Sequence, residues 1–148
     1  MKLNEFLVNA KRATYANNKA KKILKNGAKE LTYQEKDLKY LDRYYGFNPF
    51  VGQEIVFKNK NIIWSMNYYG RIISNKIPAT KVYQFLKTAL RMVTEDKPFR
   101  GPNNFKDGYF EYSNIIKGDT DNFSGTERIF YKKQQIYTLV YHGGIVKN

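Results

Sequence analysis

The apolar positions of the chain follow two periods. Leu3, Phe6, Leu7 and Ala10 recur at i, i+3, i+4, i+7, and Val82, Phe85, Leu86, Ala89, Leu90 and Val93 draw the same stripe later on. Each stretch predicts a helix with one apolar face. Pro78 stands just before the second helix, Thr80 is its predicted N-cap, and Pro98 lies beyond its end. Elsewhere the period shortens to two. An aromatic stretch, LKYLDRYYG, precedes a hairpin closed by KNKN, and GYFEYSNII precedes a second hairpin closed by KKQQ. Each half is predicted to run helix, strand, strand, strand.

The halves also resemble one another. GQEIVFKNKNIIWSMNYYGRII (52–73) lies over GTERIFYKKQQIYTLVYHGGIV (125–146) without a gap, at a constant offset of 73 residues. Gly52, Glu54, Phe57, Tyr68 and Gly70 meet Gly125, Glu127, Phe130, Tyr141 and Gly143, and Trp64 meets Tyr137. EFLVNAKRA (5–13) similarly resembles QFLKTALRM (84–92). The expected fold is α+β, a tandem duplication of an αβββ unit, with repeat 1 over about 1–77 and repeat 2 over about 78–148. Neither unit is large enough to close a core alone, so a single domain over 1–148 is expected, one antiparallel sheet with both helices packed on one face. Gly70 and Gly143 are expected to serve a turn or bend.

Alternation sorts the strand residues by face. Trp64, Met66, Tyr68 and Gly70 share a first side with Tyr137, Leu139, Tyr141 and Gly143, and this side suits the core. Ser65, Asn67, Tyr69 and Arg71 share a second with Thr138, Val140 and His142. A hairpin turning on Asn59 and Lys60 sets Glu54 across from Ser65, and by the same register Glu127 across from Thr138. Both carboxylates are then expected on the second side. That side is expected to be too apolar for pure solvent surface, which suits a partly covered groove, a ligand floor or a homodimer contact, against the alternative of an ordinary mixed outer face.

Cysteine is absent and His142 is the single histidine, which removes disulfides, thiolate chemistry and Cys- or His-rich metal sites; no cofactor or metal is expected. No signal peptide and no apolar run of about 18 residues occurs, so the expectation is a cytoplasmic protein without membrane contact. A net charge of +13 and an aromatic content of 16% suit phosphate-bearing partners, since cations meet phosphate and aromatic faces stack on bases. Residues 11–29 carry seven Lys and Arg and no acid, either a solvated helix face or a first contact for an anionic polymer. His142 with Glu127 or Glu54 offers an acid–base pair, unaccompanied by a nucleophile signature, phosphate loop or metal-ligand spacing.

The phrases NPFVGQEIVF, IIWSMNYYGRI, PFRGP and YHGG resemble an uncharacterised bacterial domain family usually found behind an Xre-type helix-turn-helix in regulators. The resemblance runs from LNEFLVNAKRATYA to YHGGIVK and implies an effector-sensing or oligomerisation module; a free-standing copy without the helix-turn-helix is expected. The leading expectation is a non-enzymatic domain that senses or sequesters a small anionic, nucleotide-like ligand. Arg43, Arg71 and Arg100 would contact phosphate, Tyr44, Tyr69 and Trp64 would form walls, and Asn67, Glu54, Glu127 and His142 would read polar edges. One alternative is a mobile-element inhibitor that binds nucleic acid, or a nucleic-acid-handling protein, through Lys19, Lys21, Lys22 and Lys25. Another is a small enzyme using His142 and Glu127.

Overall fold

A computed structural model describes residues 1–14 and 21–148. The two helical stripes form α1 (Leu3–Ala13) and α2 (Ala79–Leu90). Thr80 lies inside α2; Pro78 holds the cap position, its carbonyl accepting the Lys81 and Val82 backbone N–H groups, and no side chain caps the helix. Proline suits this boundary because it has no N–H to satisfy and its fixed φ leads into the first turn.

The described strands are β1 (Lys22–Ile23), β2 (Lys29–Glu35), β3 (Leu38–Gly46), β4 (Phe50–Lys58), β5 (Asn61–Ile72), β6 (Asn104–Asp107), β7 (Phe110–Asp119), β8 (Asn122–Tyr131) and β9 (Gln134–Ile145). They form one antiparallel sheet in the order β1-β2-β3-β4-β5-β9-β8-β7-β6. The fold is α+β, with more strands than the expected three per half. In β2 the charged residues Lys29, Glu30 and Glu35 mask the alternation of Leu31 and Tyr33, and β6 is a short edge strand within the turn-rich stretch FRGPNNFKDG. Strand β5 joins β9 at the centre of the sheet, where Tyr68 stands directly opposite Tyr141.

The hairpin turns form where KNKN and KKQQ predict them. Asn59 and Lys60 have φ of 48° and 72°, and Lys132 and Lys133 have 47° and 68°, the left-handed values that two-residue turns between twisted strands require. One irregularity changes what lies across the hairpin. Between Val56 and Phe57 the register shifts, so Ile63 is an extra residue and Glu54 pairs with Met66, not Ser65. The same shift between Ile129 and Phe130 leaves Ile136 over and sets Glu127 opposite Leu139, not Thr138. A one-residue slip exchanges the faces of a strand. Both carboxylates therefore lie on the first side, inside the protein.

That side is buried, as alternation predicts. Phe6 and Leu7 of α1, Val82 and Leu86 of α2, and Trp64, Met66, Tyr137 and Leu139 of the sheet belong to one apolar cluster. Burying each such side chain contributes about 1.5–3 kcal/mol. No helix among the described residues is long and apolar enough to cross a membrane.

Candidate functional site

Glycines placed opposite aromatic residues shape the inner face. A Cβ on Gly52 would lie 2.3 Å from the Tyr68 hydroxyl, and one on Gly125 would lie 2.1 Å from Cζ of Tyr141. Gly70 lies against the Phe50 ring in the same manner, whereas a Cβ on Gly143 would meet the Ser65 carbonyl oxygen at 2.1 Å before the Phe123 ring at 2.9 Å. These glycines sit within strands and not in turns; their missing side chains let a cross-strand ring lie against the backbone. So positioned, Tyr68 donates to Oδ1 of Asp42 at 2.6 Å, and Tyr141 donates to Oδ1 of Asn114 at 2.8 Å.

Beside these pairs stand the two buried glutamates, with the segment Phe99–Arg100–Gly101 touching the surroundings of both. Glu127 receives Nε and Nη2 of Arg100 at 3.1 and 2.9 Å, the Tyr112 hydroxyl at 2.5 Å and the Tyr137 hydroxyl at 2.8 Å. Asn114 donates to the Gly101 carbonyl, and the Gly101 N–H donates to Tyr112. Glu54 is served differently. Lys11 reaches it from α1 and also donates to the Phe99 carbonyl at 2.8 Å. Oε1 of Glu54 is buried without a hydrogen-bond partner among the described residues. Trp64 holds the place matching Tyr137 but directs its N–H to the Thr120 carbonyl.

These environments move the titration of the groups. The Asp42 carboxyl is pushed up to about 7, by burial first and by Glu54 next, against the pull of Tyr68, Lys11 and Arg100. Burial lowers Lys11, opposed by Glu54. Tyr112 and Tyr137 are raised well above the usual phenol range by burial and by Glu127, which keeps both as hydroxyl donors.

A cavity of about 970 Å³ opens between α2 and the inner surface of the first half, within the range of small-molecule sites, about 300–1,000 Å³. Asp42, Tyr68 and Arg100 line it at depth, and Tyr44, Phe50 and Tyr83 form apolar walls. Lys21, Lys29, Lys81, Lys87 and Arg91 add five cationic side chains. Lys21 and Lys29 lie 5.3 and 5.4 Å from the Tyr44 ring centroid, a cation–π arrangement. Lys87 is lowered by burial, then by the like charges of Lys21 and Arg91.

The residues singled out in the sequence divide between two faces. Tyr44 and Arg100 line the cavity; Glu54, Trp64 and Glu127 are buried beside or behind it. Arg43, Asn67, Tyr69, Arg71 and His142 lie on the opposite face, where Arg43, Gln53, Asn67, His142, Ser124 and Lys117 succeed one another across the strands. A parallel row there runs Tyr45, Val51, Tyr69, Val140, Thr126, Ile115, and all but Thr126 are well exposed. Lys22 and Lys25 are exposed, and Lys19 lies outside the described residues.

Lys11, Asp42 and Tyr68 entered no predicted site, although periodicity marked their positions. Lys11 continues the spacing of Leu7 at i+4, and Asp42 continues the alternation of Leu38 and Tyr40. Among the described residues no group of His, Cys, Asp and Glu is arranged to hold a metal ion. A family model described as a domain of unknown function, DUF5680, matches residues 42–146. No curated protein and no solved structure matches the chain.

Proposed function

From the premise that the chain belongs to the DUF5680 family, whose function is not known, we propose that it is a non-enzymatic ligand-binding domain that senses or sequesters a small anionic, nucleotide-like molecule in the cavity beside α2. The carrying observation is the set of five cationic side chains around a cavity walled by Tyr44, Phe50 and Tyr83. Cations there meet phosphate, and flat rings hold a base. The reading takes the two halves as diverged copies of one helix-and-hairpin module packed on the same side of the sheet. The matching turns, register shifts and glycine–aromatic contacts at the 73-residue offset support that origin. On this reading the ligand would act as an effector or be held out of circulation.

Calorimetric titration with a panel of nucleoside monophosphates tests the proposal. Binding is expected, weakened roughly tenfold or more in a Lys87→Ala/Arg91→Ala variant that melts like the wild type, since charge-assisted hydrogen bonds contribute about 1.5–3 kcal/mol each. Absence of binding to every member, or undiminished affinity in the variant, overturns it.

A second reading rests on the opposite face. Its four central strands place no carboxylate outward, while Arg71, Arg128 and, on the neighbouring β7, Lys117 accompany exposed Tyr45 and Tyr69; Arg43 on β3 is paired with Glu30. A flat aromatic surface bordered by cations suits a single-stranded nucleic acid.

A further inference from the structure

The cavity is not uniformly cationic. Lys21, Lys29, Lys81, Lys87 and Arg91 make its outer region cationic, while Asp42 lines it at depth beside Arg100, with Glu54 as the cross-strand partner of Asp42 on β4. Among the described residues, the buried acidic and basic side chains around that inner end are three carboxyls, Asp42, Glu54 and Glu127, and two cations, Lys11 and Arg100. With all five ionised, the cluster is one positive charge short. A buried carboxylate favours neutralisation by a proton, a cation or hydrogen-bond donors.

Comparison of the halves locates the shortage. Around Glu127 the set is closed: Arg100 and the hydroxyls of Tyr112 and Tyr137 occupy both oxygens. Around Glu54 it is open, because Trp64 replaces the second tyrosine and directs its N–H elsewhere, leaving Oε1 without a partner among the described residues. The neighbouring tyrosine partner also differs. Asn114 is neutral and donates to the Gly101 carbonyl, whereas Asp42 contributes a carboxyl in contact with the cavity. Both differences remove a donor and leave acceptor capacity in the half that faces the cavity.

We propose that the Asp42 end of the cavity receives an N–H-bearing group of the ligand, so that the site selects a mononucleotide whose base carries an exocyclic amino group, with its phosphate turned toward the lysines. Once ionised, Asp42 accepts the amino hydrogen directly, and the charge of Glu54 behind it strengthens the preference. An oxo group in the same place has no hydrogen to offer that carboxylate. This inference rests on the ligand-binding reading above and adds its polarity and selectivity.

The test is calorimetric titration of the full chain with AMP, GMP, IMP, CMP and UMP. The pairs GMP with IMP and CMP with UMP differ by an amino group added or exchanged for oxo. The amino-bearing member of at least one pair is expected to bind roughly tenfold tighter, and Asp42→Asn is expected to erase that preference. The Asn114–Tyr141 pair shows that an amide fits beneath a tyrosine in this setting, so the variant is expected to fold; its circular dichroism and melting curve check this. Equal affinities within every pair, or a preference that survives Asp42→Asn, overturn this inference and leave the ligand-binding reading standing. If none of the five nucleotides binds, both fall.

Discussion

Asp42 and Asn114 receive hydroxyls from Tyr68 and Tyr141 in the same manner, and a single oxygen-for-nitrogen difference makes one of them a titrating group. With its carboxyl pushed up to about 7, above the ordinary value near 3.9 in an unfolded chain, Asp42 binds its proton more tightly in the folded state. The stabilisation linked to that proton is whole below about pH 4 and is lost as pH rises through about 7. Thermal unfolding of the wild type and Asp42→Asn across pH 5 to 8 should therefore show the wild type losing stability relative to the variant, by on the order of a few kcal/mol over the full window. Melting temperatures that run parallel across the series would refute this. The position of Asp42 was readable from alternation with Tyr40; its titration was not, because that depends on Glu54, Lys11 and Arg100, which three separate segments bring together.

At the scale of elements, hairpins and helices were legible because they rest on local rules: apolar spacing, turn chemistry, and proline at a helix boundary. The register within each hairpin was not. A single extra isoleucine, Ile63 or Ile136, turns Glu54 and Glu127 from the outer face to the inner, and the KNKN and KKQQ turns look the same with or without it. The strand glycines belong to this scale as well. In Gly125→Ala the new Cβ would meet Cζ, the hydroxyl and Cε1 of Tyr141 at 2.1, 2.3 and 2.6 Å. The ring cannot withdraw without loosening its bond to Asn114. A destabilisation of about 1–3 kcal/mol is expected in denaturant unfolding, as for other overpacked interiors. In a Tyr141→Leu background, where no ring crosses the glycine, the same substitution should cost less; an equal cost in both backgrounds would refute the contact as its cause.

Over the whole molecule, the net charge of +13 is divided by the sheet into two surfaces. Lysines of β2 and α2 surround the cavity, whereas Arg71, Arg128 and Lys117 belong to the opposite face. The second reading makes a prediction at this scale. A single-stranded oligonucleotide bound on the outer face should lose affinity steeply as salt rises, with a shallower slope in Arg71→Ala/Arg128→Ala. Fluorescence anisotropy at several salt concentrations measures both, and a slope unchanged by the substitutions would assign the contact to another surface. Composition announced the charge, but it could not say that Arg71 and Arg100 lie on opposite sides of the sheet. Nor could it show Lys11, from the basic run 11–29, paired inside the protein with Glu54.

What the sequence by itself determined was local or additive: two amphipathic helices, two hairpins with their turns, the apolar side of the sheet, the internal resemblance at a 73-residue offset, and a strong positive charge. Such features depend on near neighbours or on sums, and both are written along the chain. The tertiary structure alone decided which carboxylates are buried, which cations close them, and that one half leaves an acceptor open beside a cavity. Those outcomes depend on one-residue shifts in pairing and on groups from distant segments converging where water is excluded. There a single oxygen or amide changes the charge balance, and no periodicity in the chain records it.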